Sequence, residues 1–168
     1  MNLPKIADRL QPALLDRLRD DDPDGRAEPV EARVISRSRM RDAVLRDLGW
    51  LFNTTRAPEE GSLDDLPQTR RSVLNYGLPP LSGLTLSSID ATALAAEVHR
   101  AIVAFEPRIL ADTLQVDVAT LEQQDRHQNH LSLRIKGKLW AQPVPLEWLL
   151  QTDVDLETGS VEVRELSG

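Results

Sequence analysis

Phe105-Glu106-Pro107-Arg108 is the stretch at which this chain changes from helical to strand-like patterning. Proline lacks an N–H, fixes φ and disfavours helical geometry in the residue before it, so we expect a helix to end at Phe105. Before this stretch apolar residues recur at helical spacing, and after it they alternate with polar residues. This change of period, with helices first and strands afterwards, predicts an α+β fold.

The helical half contains two main helices, over residues 36 to 54 and 90 to 105. Their apolar stripes consist of Met40, Val44, Leu48, Leu51 and Phe52 in the first and Leu94, Val98, Ile102 and Phe105 in the second. Asp90 stands where an N-cap residue of the second helix would stand. Because each helix has one apolar stripe, we expect both to pack on one face of a sheet.

The strand half contains several short segments in which apolar and polar residues alternate. They cover residues 114–118, 131–139, 146–150 and 161–164. Residues 155 to 160 carry a hairpin signal with Gly159. Neighbouring strands joined in this way predict a mostly antiparallel sheet of about four strands.

The final strand is expected at an edge of that sheet. Edge strands expose N–H and C=O groups that can accept a strand from another chain. Val161 and Val163 are therefore candidate partner-binding residues, while the charged neighbours Glu162 and Arg164 would discourage random pairing. An ordinary protected edge is the alternative interpretation.

Residues 1 to 32 differ in composition from the rest of the chain. Leu14, Leu15 and Leu18 suit a short helix that begins near Pro12, and the acidic residues 20 to 32 read as a linker. This segment is either a loose tail or a helix that docks on a partner. We predict an N-terminal helical extension with its linker over residues 1 to 32 and an α+β domain over residues 33 to 168.

Composition narrows the possible functions. The chain has 168 residues, no cysteine and a net charge of −7. Thiol chemistry and disulfides are excluded, and an acidic chain is not expected to bind nucleic acid, since that affinity comes from neutralising phosphates. No apolar run approaches the about 20 residues of a membrane span, and no secretory signal is recognisable. A cytoplasmic protein without membrane insertion is expected.

The enzymatic alternative is a carbohydrate hydrolase, acting on peptidoglycan, that uses paired carboxylates. The candidate carboxylates are Glu106, Asp112, Asp117, Glu122 and Asp125. The chain has three histidines, His99, His127 and His130. His127 and His130 lie close together but have no third ligand at recognisable spacing, so these residues do not predict a metal site. No nucleophile motif or phosphate-binding loop occurs, so we expect neither a catalytic residue nor a cofactor.

Glu106, Pro107 and Arg108 have two competing interpretations. In the first, the two charges bond to each other and fix the corner between helix and strand, since charges near a core are usually paired. In the second, they form a rigid charged corner for a partner subunit, a role that suits the planar fork of arginine.

Several motifs, taken in order, resemble one known family. They are Leu14-Leu15-Asp16-Arg17-Leu18, Arg46-Asp47-Leu48, Leu51-Phe52-Asn53-Thr54-Thr55-Arg56, Ser72-Val73-Leu74-Asn75-Tyr76-Gly77-Leu78-Pro79, Phe105-Glu106-Pro107-Arg108 and the terminal hairpin. The family is TssE, the wedge subunit of type VI secretion baseplates, which belongs with the baseplate wedge proteins of contractile-tailed phages. Two departures are an extra residue before Arg56 and a second proline, Pro80, where the family usually has aspartate.

The resemblance implies a non-enzymatic α+β protein of a cytoplasmic baseplate. It implies the wedge subunits TssF, TssG and TssK and the contractile sheath as partners. The Glu-Pro-Arg motif of the family matches Glu106, Pro107 and Arg108 and is associated with wedge contacts. On this interpretation the corner docks in the wedge, the strand near Val161 to Arg164 templates sheath strands, and the helix at Leu14 to Leu18 is a tether.

Overall fold

A computed structural model of the chain describes residues 13–18, 36–56, 63, 65–70, 72–85, 88–119, 129–141 and 144–166. The helices are α1 (Leu14–Leu18), α2 (Arg37–Phe52), α3 (Pro67–Arg70) and α4 (Ala91–Phe105), and the strands are β1 (Gln115–Val118), β2 (His130–Leu139), β3 (Leu146–Asp155) and β4 (Val161–Glu165). The acidic linker predicted over residues 20 to 32 lies outside the described residues. The boundary after residue 32 therefore stays a prediction.

The four strands form one antiparallel sheet in the order β1-β2-β3-β4. Each strand pairs with the next one in the chain, with Ile135 opposite Leu150 and Val154 opposite Val161. Alternate residues such as Leu133, Ile135 and Leu150 are buried on one face of the sheet. The predicted α+β fold with a four-stranded antiparallel sheet is confirmed.

α2 and α4 supply the helical side of the core. Val44, Leu48 and Ile102 are completely buried, and each such side chain contributes roughly 1.5–3 kcal/mol to folding. Both helices begin one residue later than predicted, because the first predicted residue is the cap. The Ser36 hydroxyl accepts the Arg39 N–H at 3.2 Å, and the Asp90 carboxylate accepts the N–H groups of residues 92 and 93.

β3 is longer than its apolar pattern indicated. The alternation was expected to end at Leu150, whereas the strand continues to Asp155 because β2 pairs with it along its whole length. Thr152 hides this continuation in the sequence, since a polar residue occupies a buried position there. Its hydroxyl donates to the carbonyl of Leu133 at 3.5 Å.

α1 is a short helix at the position that the leucine spacing indicated. It has five residues, Leu14–Leu18, and begins two residues after Pro12. Leu14 and Leu18 are 70% and 74% exposed. Within the described parts of the chain, no helix is both long and apolar enough to cross a bilayer.

Candidate functional site

The helix-to-strand corner is an internal ion pair. Glu106 ends α4, with its N–H donating to the Ile102 carbonyl at 2.8 Å, and its side chain is almost completely buried. Arg108 donates to Glu106 Oε1 from its backbone N at 3.1 Å and from Nε at 2.7 Å, and its Nη2 contacts Oε2. Both carboxylate oxygens therefore bond to the arginine two residues later, as in the first of the two interpretations. Pro107, between them, is exposed.

Asp47 of α2 completes this ion pair. Nη2 of Arg108 donates to Asp47 Oδ2 at 2.5 Å, so one guanidinium is shared by two carboxylates. Burial alone would lower the pKa of Arg108, but hydrogen bonds and charge attraction from Glu106, and then from Asp47, raise it above its ordinary value. The cation therefore stays charged, and it ties α2 to the end of α4.

The same network reaches the N-terminal helix. Arg46 donates from Nε to Asp47 Oδ1 at 2.9 Å and from Nη1 to Asp16 Oδ1 at 2.6 Å. The hydrogen bond that Arg46 donates to Asp16 is the main reason that the pKa of Arg46 is raised. Five charged side chains thus alternate in sign along one side of the molecule. We call this set the ion-pair network; it consists of Asp16, Arg46, Asp47, Arg108 and Glu106.

The ion-pair network connects two motifs that the sequence analysis had considered separately, α1 and the corner. The sequence interpretation quoted Arg46 and Asp47 as part of a family motif but gave this linking pair no structural role. The available signal was weak: Asp47 lies directly beside the buried Leu48 of the α2 stripe, where an acidic residue needs a partner.

The loop before α4 supports the corner from the other side. The ring of Tyr76 packs edge-on against Phe105 with centroids 5.2 Å apart, and its hydroxyl donates to the Asp47 carbonyl at 3.4 Å. Gly77 follows with φ of 116°, and a Cβ there would lie 2.1 Å from the Thr54 carbonyl oxygen. Glycine is therefore required for this loop to approach the end of α2.

Two backbone hydrogen bonds fasten that approach. Leu78 donates to the Thr54 carbonyl at 2.9 Å, and Arg56 donates to the Leu78 carbonyl at 2.9 Å. The Arg56 side chain also bonds to Glu97 of α4 at 2.9 Å. Despite the departure from the family motif before it, Arg56 thus forms an ion pair between the segment that follows α2 and Glu97 of α4.

β4 lies at the edge of the sheet, as the sequence indicated. The side chains of Val161 and Val163 point towards the core, where Val161 is buried and Val163 half-buried. Any strand that pairs with β4 would therefore form hydrogen bonds to the backbone of these residues. Their side chains would stay packed on the core side of the sheet. Their role in partner binding stays a prediction.

The three described carboxylates among those proposed for a hydrolase, Glu106, Asp112 and Asp117, are not arranged around a cleft. Glu106 and Asp47 share Arg108, while Asp112 and Asp117 are exposed, and Glu122 and Asp125 lie outside the described residues. An open cleft of about 290 Å³ lies between the end of α2 and the β3–β4 turn. Among the described residues that line it, none is acidic.

No metal centre is formed by the residues that the structure describes, since none of them group three or more potential ligand side chains. His99 lies on α4 and His130 begins β2, while His127 is not described. The prediction of no metal or cofactor site stays a prediction.

Comparison with known proteins identifies the class. A family model described as baseplate wedge protein gp25 matches residues 38–144, from α2 through the corner to the end of the segment before β3. No curated protein and no solved structure matches the chain significantly. The chain belongs to the gp25 family of baseplate wedge proteins, whose role is structural. TssE is the type VI secretion homologue of gp25, so the resemblance found in the sequence is confirmed.

Proposed function

We propose that this protein is a wedge subunit of a type VI secretion baseplate that helps to seat or nucleate the contractile sheath. The observation that carries the proposal is the family match over residues 38–144, which contains the whole corner. The proposed partners are TssF, TssG and TssK in the wedge and the strands of the sheath. The proposed location is the cytoplasm, where such a baseplate assembles.

The corner is the proposed wedge contact. Its charges bond to one another, so it offers a partner a stiff shape more than free charge. Pro107 is exposed at its tip, and 24% of the Arg108 side chain remains accessible. A rigid contact of this kind loses little conformational entropy when a partner binds.

The leucines of α1 are the proposed tether. The Asp16–Arg46 bond holds this helix at one end of the ion-pair network. The side chains of Leu14, Leu15 and Leu18 on this helix are exposed. An exposed row of leucines on a short helix is typical of a segment that docks in an apolar groove.

Substitution of Pro107 by glutamate tests the wedge contact. The added charge lies at the exposed tip and replaces no residue of the ion-pair network, so the protein should fold. The variant should no longer co-purify with TssF, TssG and TssK. Ala96→Glu is the matched control, because Ala96 is an exposed residue of α4 more than two turns earlier. Equal recovery of the wedge subunits with both variants would contradict the proposed contact.

Val163→Pro tests the sheath contact. The N–H of Val163 points away from β3, so proline removes a donor from the outer edge without breaking the β3–β4 ladder. Sheath assembly in a reconstituted system should be lost while wedge subunits still bind, and Val163→Ala controls for the side chain. Normal sheath assembly with the proline variant would contradict strand templating.

A further inference from the structure

The outer edge of β4 offers fewer pairing positions than its length suggests. In an antiparallel ladder, successive residues point their N–H and C=O groups alternately towards and away from the neighbouring strand. Ser160 and Leu166 bond to β3, through Asp155 N to Ser160 O and Leu166 N to Leu149 O, both at 2.9 Å. The outward positions are therefore Val161, Val163 and Glu165.

The first of these positions is already filled by a side chain. The amide of Asn53 accepts the N–H of Val161 at 3.0 Å and donates to the C=O of Val161 at 2.8 Å. The same amide nitrogen donates to the Gly49 carbonyl at 2.8 Å, which holds it in place. Asn53 thus makes at Val161 the two hydrogen bonds that a residue of a neighbouring strand would make.

The side of α2 next to the strand edge leaves open space at Gly49. Arg41, Leu45, Gly49 and Asn53 recur every four residues and so form one row along α2. Asn53 contacts the start of β4 and Arg41 contacts Glu165 at 3.3 Å, so this row runs beside the strand edge. Between these contacts, a Cβ added to Gly49 would meet no atom within 4 Å.

We propose that Asn53 fixes the register in which a partner strand adds to β4. It takes the place of the first partner residue at Val161, so an added strand pairs only at Val163 and Glu165. The partner strand carries an apolar side chain towards the half-buried Leu45 and Val163 and polar side chains towards Glu162 and Arg164. This inference rests on the proposed function, in which that strand comes from the sheath.

The first test is amide hydrogen exchange, read residue by residue by NMR, on the full chain alone. In the wild type the Val161 amide should exchange slowly, whereas the Val163 and Glu165 amides should exchange rapidly. Asn53→Ala should accelerate Val161 alone by about tenfold, as expected for the loss of a net hydrogen bond. Thr54→Ala is the matched control, since its hydroxyl donates to the Trp50 carbonyl at 2.7 Å and not to Val161. An unchanged Val161 rate in Asn53→Ala would overturn the inference.

Asn53→Gly provides a second variant should alanine impair folding, because glycine is well accepted at a helix C-terminus. In the second test, the chain is labelled by exchange while bound to purified sheath subunits and read after dissociation. The wild type should gain protection at Val163 and Glu165, and the glycine variant should gain it at Val161 as well. Protection that stops at Val163 in the variant would overturn the register role alone. No gained protection on β4 in either protein would overturn strand addition itself.

Discussion

Arg108 and Asp47 lie 61 residues apart in the chain and are joined by a hydrogen bond of 2.5 Å between Nη2 and Oδ2. Because Arg108 also bonds both oxygens of Glu106, the charges of the corner are satisfied inside the protein. The corner is therefore a structural joint between α2 and the end of α4, and a partner would bind its shape. A partner contact and an internal ion pair are compatible in this arrangement.

Arg108→Ala should destabilise the protein by about 3 kcal/mol, because it leaves the buried Glu106 carboxylate without its cation. Urea unfolding measures this loss. Arg100→Ala is the control: its side chain is 60% exposed and pairs with Glu97, so about 0.5 kcal/mol or less is expected. Similar losses for the two variants would show that the corner is not a stabilising joint.

Arg46→Ala should release α1 while leaving the core intact. The Asp16–Arg46 bond is the described link between α1 and α2, so amide exchange over Leu14–Leu18 should rise about fivefold, equivalent to about 1 kcal/mol. Exchange in α4 and β3 should not change. Arg41→Ala, which breaks the contact with Glu165 on the other flank of α2, should leave α1 unaffected. Unaltered α1 exchange in Arg46→Ala would mean that other contacts hold this helix.

Gly77→Ala should cost more than about 3 kcal/mol, because strain from the positive φ adds to the clash with the Thr54 carbonyl. Gly83→Ala separates these two effects. Gly83 also has a positive φ, of 79°, but a Cβ there meets no atom within 4 Å, so about 1 kcal/mol is expected. The midpoint of urea unfolding gives both values, and equal shifts would argue against the clash.

Stability should decrease in acid through Asp153. Burial alone would raise the pKa of Asp153, but hydrogen bonds from Ser132 and Gln151 and the charge of Arg164 lower it below the ordinary value of 3.8. A carboxyl with a lowered folded pKa contributes stability that is present above the unfolded value and lost as pH falls through the folded value. The free energy of unfolding should therefore decrease as the pH is lowered from about 4.

Asp153→Asn should flatten that decrease, since the amide does not titrate. Gln115→Ala, an exposed change of a residue that does not titrate, on the same face of the sheet, should leave the pH dependence as it is in the wild type. Asp155 has a lowered pKa as well, through the Thr158 hydroxyl, and should account for a remaining slope in the Asp153 variant. Parallel curves for the wild type and Asp153→Asn would refute the assignment.

The elements of this fold could be predicted because burial alternates locally along the chain. The stripes of α2 and α4, the cap at Asp90 and the end of α4 before Pro107 all follow from neighbours within a few residues. β3 was underestimated because Thr152 breaks the apolar pattern, although its hydroxyl bonds to the Leu133 carbonyl. Local pattern therefore predicts elements well wherever the buried residues are apolar.

The candidate sites could be predicted only in part, because their partners are distant in sequence. Glu106 and Arg108 were found together since they are two residues apart. Asp47 bonds to a residue 61 positions away and Asn53 to one 108 positions away, and neither shows a periodic signal. Such contacts become visible only when the elements are placed in space.

The hydrogen bonds between Asn53 and Val161 also constrain the order in which parts of the chain can associate during synthesis. The strands of the sheet pair with their immediate neighbours in the chain and can associate early, since short loops close at little entropic cost. The end of α2 must instead wait until β4, the last described element, has left the ribosome. During synthesis, Asn53 can therefore bond to Val161 only once the last of the four described strands is available.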